Sequence, residues 1–286
     1  MIGAIIGDIV GSRFEGPNRH PTRVNFKMFP TDTYFTDDTA LTIAVADAIL
    51  NDKPYADTIR AYYRKYPYVG YGRAFKAWGK SDDAEGYDSY GNGSAMRVSP
   101  VAFAFNTKEE VLEHAKLSAE VSHNHPEGVK GAQAIALATF LARVGASKRE
   151  IRDAMENEME YNLLELTRGF DSSCMGSVPN AIVAFLNSNC FIDAIRGAVL
   201  MGGDSDTIAC MAGSIAQAYY GAKLTAIPPN IVKKTFQRLP DELADIAVEF
   251  VKKYIDNNFG KPASISKNAK CYDLFRSILY DFRNKG

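Results

Sequence analysis

Apolar residues recur at helical spacing along nearly the whole of this 286-residue chain, and runs of alternating β-branched residues are nearly absent. That pattern argues for helices packed on helices and against a sheet. Residues 36–50 (TDDTALTIAVADAIL) put Ala40, Ile43, Ala44 and Ile49 on a broad apolar face. Comparable periodicity runs through 109–121, 128–144, 178–187, 190–201, 205–221 and 241–256. Thr107, Ser147 and Asp241 stand where N-caps belong. The N-terminal run MIGAIIGDIVGSRFEG lacks a basic leader and is interrupted by Asp8, so it reads as a first helix rather than a signal peptide. Only Val24–Met28 could form a short extended piece, and a last amphipathic helix is expected after Pro262. The expectation is an all-α fold in one domain, residues 1–286, with a substantial core.

Composition narrows the function classes. The 33 basic and 34 acidic residues leave a net charge of −1, which gives no footing for non-specific nucleic-acid binding or a charged membrane surface. No segment reaches the roughly 18–20 unbroken apolar residues that span a bilayer. Cys174, Cys190, Cys210 and Cys271 show no metal-binding or redox spacing and read as reduced core residues, so the expected location is cytoplasmic.

Two helical stretches start in an unusual way. GGDSDTIACMAGSIAQAYYG (202–221) places Asp204 and Asp206 ahead of a long run of small apolar residues. Thr36-Asp37-Asp38-Thr39 heads the helical stretch 36–50 with the same logic. Asp and Thr are good N-caps, and acids suit the first turn of a helix, so capping accounts for either stretch alone. If the two starts converge, however, four carboxylates meet in one dry site and cannot all stay ionised uncompensated. Nearby cations are few: Arg13, with Arg97 farther on. Two divalent ions would balance the charge. The donors on offer are carboxylates and the hydroxyls of Thr36, Thr39 and Thr207, a set that favours hard Mg²⁺ or Mn²⁺ over Zn²⁺. Other acid motifs fail on spacing. A DDxxD run would need an acid where Leu41 stands, the DxDx[TV] phosphatase motif would need Thr or Val where Ile208 stands, and an EF-hand would need more alternating acids and a closing Glu.

Five motifs in order resemble the ADP-ribosylglycohydrolase family: GAIIGDIVGSRFEG (3–16), FTDDTALT (35–42), GNGSAMRVSP (91–100), SHNHPEGVKGAQA (122–134) and GGDSDTIACMAG (202–213). The resemblance implies a compact orthogonal helix bundle with a central binuclear Mg²⁺ or Mn²⁺ site. It implies that Thr36, Asp37 and Asp38 ligate metal from one side and Asp204, Asp206 and Thr207 from the other. Glu15 would stand beside the metals, Gly91, Asn92, Gly93 and Ser94 would wrap the substrate's phosphates and distal ribose, and His123 would lie near the adenosine. From the residues alone, each has a plainer reading. Glu15 could be a turn acid, and Asn92 could sit in a left-handed turn. His123 and His125 could cap the next helix, and Arg97 could be a phosphate contact or, slightly favoured, an ion-pair partner for buried acids.

The implied activity is hydrolysis of the glycosidic bond between ADP-ribose and a protein or small-molecule acceptor, by an activated water at C1 of the distal ribose. Glu15 is the first candidate for the proton-handling carboxylate, with Asp37 and Asp38 as competitors. The alternatives are a non-catalytic, metal-dependent ADP-ribose-binding protein and a hydrolase of another ADP-ribose derivative. The loops 81–90 and 171–179 are the candidates for the acceptor side.

Overall fold

The computed structural model describes residues 1–17, 19–82, 85–221 and 227–255, and among these the regular structure is helical throughout. The helices are α1 (Ile2–Gly11), α2 (Asp37–Leu50), α3 (Tyr55–Lys65), α4 (Arg73–Lys80), α5 (Gly93–Met96), α6 (Ser99–Ala104) and α7 (Lys108–Glu120). They continue with α8 (Pro126–Arg143), α9 (Lys148–Asn157), α10 (Cys174–Leu186), α11 (Phe191–Met201), α12 (Ser205–Tyr220), α13 (Pro229–Phe236) and α14 (Asp241–Phe250). Two isolated bridges, Gly16 with Gly203 and Gly91 with Ser173, tie loops together without forming a strand. Residues 24–28, the one stretch that could have been a short extended piece, hold a turn at 24–25 and no strand. The helix expected after Pro262 falls outside the described residues. No described helix is long and apolar enough to cross a membrane.

Helix α12 is the centre of the fold. Every residue from Ser205 to Ala218 is buried, and the helix packs against α1, α8, α10 and α11. Its Ala, Gly, Ser and Cys side chains let these neighbours come close. The closest is α1, whose Gly3, Gly7 and Gly11 form a stripe against it. A Cβ on Gly7 would lie 2.0 Å from the Ala209 carbonyl oxygen, and one on Gly3 would lie 2.1 Å from that of Gly213. A Cβ on Gly11 would lie 2.4 Å from Asp206 Cα. Backbone against backbone is therefore what sets the distance between α1 and the acidic start of α12. Helix α2 joins from the other side, buried from Asp38 to Ala48 rather than on one face alone.

The caps follow the sequence closely. Thr107 and Ser147 each form a full capping box, with Glu110 and Glu150, and such caps contribute about 1 kcal/mol apiece. Asp241 is the first helical residue of α14 and not its cap; Pro240 holds that place and fixes the entry dihedral. Helix α10 starts at Cys174, so the 171–179 stretch is loop only as far as Ser173. Cys174 and Cys210 are buried as expected, whereas Cys190 is exposed at the cap of α11, and Cys271 lies outside the described residues.

Candidate metal centre and active site

The two acidic starts do converge. Thr207 Oγ1, in the first turn of α12, donates to Asp38 Oδ2 in the first turn of α2 at 3.2 Å. Around this link lie two trios of carboxylates, each with oxygens within 4.8 Å of one another: Asp8, Asp38 and Asp206, and Glu15, Asp204 and Asp206. Asp206 belongs to both. Asp37 lines the same cleft, but its carboxylate falls in neither trio.

Local structure explains each placement. Glu15 follows a short 3-10 turn (Ser12–Phe14), and the Gly16 amide donates to the Gly203 carbonyl at 2.9 Å, pinning the Glu15 loop to the GGDSD loop. Gly203 has φ +75°, and a Cβ there would meet the Gly169 carbonyl oxygen at 2.2 Å, so only glycine fits that crossing. Thr36 caps α2 by accepting the Asp38 amide at 3.3 Å. The Asp37 amide is taken by the Val69 carbonyl at 2.7 Å. Asn92 donates to Asp204 Oδ2 at 2.7 Å and to Ser177 Oγ at 2.9 Å, which orients that carboxylate.

Asp8 was not anticipated as part of the site. It is fully buried on α1 and accepts from the Thr36 amide at 2.9 Å, Thr36 Oγ1 at 2.8 Å and the Thr39 amide at 3.0 Å. It therefore holds the start of α2 against α1. The available signal was an acid within a helix otherwise buried on every side.

Hydrogen bonds from Thr36, Thr39, Asn92 and Thr207, and the Arg19 charge near Glu15, offset only part of the charge on this cluster. Burial first, and then the neighbouring Asp8 and Asp37, pushes Asp38 well above the usual carboxylate value. Asp206 is raised likewise by burial, Asp204 and Asp38, and Asp37 by burial and Asp8. Burial raises Asp8 to about 6 against the hydrogen bonds from Thr39 and Thr36, which oppose the shift. Half-buried Glu15 is raised by burial and by Asp204 and Asp8. Asp38 Oδ1 is buried with no hydrogen-bond partner, an oxygen that needs a cation or a proton. The donors are carboxylate and hydroxyl oxygens with no His or Cys, so the cluster can hold hard divalent metal.

Above the cluster opens a cleft of about 330 Å³, lined by Glu15, Asp37, Asp38, Asp204, Asp206 and Thr207 on its floor. Its walls include Arg73, Phe75, Tyr87, Gly91, Asn92, Gly93 and His123. Phe75 stacks on Tyr71, ring centroids 5.2 Å apart, which fixes the α4 wall. A second hollow shares Tyr87, Ser89, Gly91, Phe170 and Ser172 with the cleft and carries it toward the 171–173 loop.

Several expected residues sit differently. Asn92 has φ −73° and is not in a left-handed turn; its side chain supports Asp204. Ser94 does not line the cleft, because its hydroxyl donates to the Gly128 carbonyl at 2.7 Å beneath it. His125 caps α8 by accepting the Glu127 amide, whereas His123 turns inward. Arg97 pairs with none of the acids among the described residues; it is fully buried and donates to Ser118 O and Ser122 Oγ.

An all-helical scaffold gathers Asp37, Asp38, Asp204 and Asp206 at the starts of two helices, with Asp8 from α1 and Glu15 from the loop after it, in a cluster able to bind metal beneath an open cleft. The ADP-ribosylglycohydrolase family model matches residues 1–258. ADP-ribosylhydrolase ARH3 from Homo sapiens is 30% identical over 305 residues, covering 77% of this chain and 84% of that protein. ADP-ribosylarginine hydrolase Tri1 from Pseudomonas putida is 29% identical over 290 residues, covering 86% and 77%. A solved structure, an ADP-ribosylglycohydrolase-related protein complex, superposes with a TM-score of 0.71 at 24% identity, covering 88% of this chain and 96% of that one. The chain belongs to the ADP-ribosylglycohydrolase family and is a glycosyl hydrolase.

Proposed function

We propose that this protein hydrolyses the bond between C1 of the distal ribose of ADP-ribose and a protein or small-molecule acceptor, using two divalent cations, Mg²⁺ or Mn²⁺. The observation that carries this reading is the pair of carboxylate trios that share Asp206 on the floor of the cleft. Thr36, Asp37, Asp38, Asp204, Asp206 and Thr207 would hold the ions, with Asp8 completing one trio and Glu15 standing beside the metals in the other. When bound, the cations supply Lewis-acid chemistry that lowers the pKa of water and templates the vicinal ribose hydroxyls.

The remaining work falls to the chain. Asn92 orients Asp204, and Asp8 holds Thr36 and the start of α2 in register. The carboxylates stabilise positive charge that develops at C1 in an oxocarbenium-like transition state. Glu15, half-buried at the cleft edge and raised by burial and by Asp204 and Asp8, suits transfer of the leaving-group or water proton. Asp37, outside both trios, is the competing proton acceptor. Arg73 is the one cationic side chain among the described residues that line the cleft, and it suits a diphosphate. Gly91 and Gly93 let the ligand approach the backbone there.

The test is release of free ADP-ribose from arginine-, serine- and base-linked substrates, with and without EDTA. EDTA-sensitive release from at least one substrate is expected. Tight ADP-ribose binding with no release from any of them would instead assign a non-catalytic binding protein.

A further inference from the structure

Arg97 is the largest fully buried side chain among the described residues, and among them it forms no ion pair with an acid. Its Nη2 donates to the Ser118 carbonyl at 2.6 Å and to Ser122 Oγ at 2.9 Å. Ser122 Oγ lies in turn 2.8 Å from His123 Nδ1. The chain of contacts runs from a permanent cation, through one hydroxyl, to a ring that lines the cleft.

Counting protons fixes the direction of each bond. A serine hydroxyl has one proton and two lone pairs, and a guanidinium only donates. Ser122 Oγ accepts from Arg97, and among the described residues its one other partner is His123 Nδ1. The hydroxyl proton finds an acceptor only if Nδ1 is unprotonated. Were Nδ1 to carry the proton, Ser122 would accept twice and leave its own buried O–H unpaired. An imidazolium fails on the same count. The ring proton therefore belongs on Nε2. That nitrogen looks toward the 91–93 loop: a Cβ on Gly93 would lie 2.9 Å from it, and one on Gly91 3.5 Å. Among the described residues no protein group accepts from it.

We propose that Arg97 and Ser122 are positioning residues that lock His123 as the neutral Nε2–H tautomer, so that the cleft offers its ligand a fixed hydrogen-bond donor rather than a base or a charge. The electrostatics agree. Burial and the Arg97 guanidinium hold His123 well below its usual value. The Tyr87 ring, 5.7 Å away, carries a hydroxyl pushed up to about 12, so it adds no charge that would draw a proton onto the imidazole. A fixed N–H donor suits a diphosphate oxygen or a purine ring nitrogen, and it leaves proton transfer to the carboxylates across the cleft. The inference rests on reading the cleft as an ADP-ribose site for the ligand, though not for the tautomer.

Long-range ¹H–¹⁵N spectra of histidine-labelled protein test it, with the His123 signals assigned by their loss in His123→Asn. The expected pattern is an unprotonated Nδ1 and a protonated Nε2, unchanged between about pH 5 and 8. Added ADP-ribose should shift Nε2 and leave Nδ1 in place. Ser122→Ala, a small change in a buried site, should give mixed tautomers, while burial and Arg97 keep the ring uncharged in that range. It should also weaken ADP-ribose binding about three- to tenfold. A proton on Nδ1, a titrating ring in the unaltered protein, or an unchanged pattern in Ser122→Ala would overturn the proposal, as would ADP-ribose binding that leaves Nε2 unmoved. If the expected tautomer is present but the unaltered protein binds no ADP-ribose, the functional reading fails and the lock on His123 stands.

Discussion

At the start of α2, Thr36 accepts the Asp38 amide and Asp8 takes the amides of Thr36 and Thr39; at the start of α12, Asp204 occupies the cap position and caps nothing. The Asp204 carboxylate instead receives the Asn92 amide from across the cleft. Only Asp206 serves its own helix end, by accepting the adjoining Thr207 amide at 3.0 Å. Both starts read alike in sequence, and a helix end needs partners for its first N–H groups. At α2 a threonine and an acid from another helix meet that need, which frees Asp37 and Asp38. At α12 the acids face the neighbouring carboxylates more than the helix. Capping therefore explains Thr36 but does not explain Asp204.

The comparison can be broken in four ways. The largest effect should come from removing one acid on each side. Asp38→Asn and Asp206→Asn should each lower turnover of an ADP-ribosylated substrate at least about a hundredfold, with the helices intact by circular dichroism. A variant with near-normal rate would remove its residue from the metal set. Next in size is Gly7→Ala, which drives a methyl into the Ala209 carbonyl and pries α1 from α12. It should cost about 3 kcal/mol in urea unfolding, despite alanine's better helix propensity.

The third concerns pH without metal. Asp8 has a folded value raised to about 6 from 3.8, so it binds its proton more tightly folded than unfolded. The stability this contributes is fully present below about pH 4 and is lost as pH rises through about 6. In EDTA the unaltered protein should lose on the order of 2 kcal/mol relative to Asp8→Asn between about pH 4 and 8. Parallel pH profiles would contradict this. The smallest effect contrasts the two caps directly. In EDTA, Thr36→Val should cost about 1 kcal/mol, whereas Asp204→Asn should cost nothing or stabilise by relieving like charge. Equal losses would mean that Asp204 does cap.

How much of this was legible in sequence depended on the length of the pattern. The long helices α2, α7, α8, α11 and α12 announce themselves through periodicity, and Thr107 and Ser147 mark their helices with full capping boxes. Short helices such as α4 (RAFKAWGK) hold too few turns for a period to stand out. The convergence of the two helix starts comes from the fold, but once they are taken to converge, the need to compensate Asp38 and Asp206 could be argued from charge. Asp8 could not, since its role depends on α2 crossing α1 through a glycine stripe that sequence does not orient. Arg97 went astray for a related reason: proximity in sequence to the 91–96 loop suggested acids or phosphates, while the fold turns its side chain toward Ser118 and Ser122. Cys190 shows the limit of reading burial from composition, for it sits at an exposed helix start.

The central claim is that Asp206 is shared by two metal positions. Equilibrium dialysis against Mn²⁺, with bound ion counted by electron paramagnetic resonance, tests it most directly. The unaltered protein should retain two ions per chain that couple magnetically, and Asp206→Asn should weaken both. Retention of no ion, or two ions held equally well by Asp206→Asn, would contradict it.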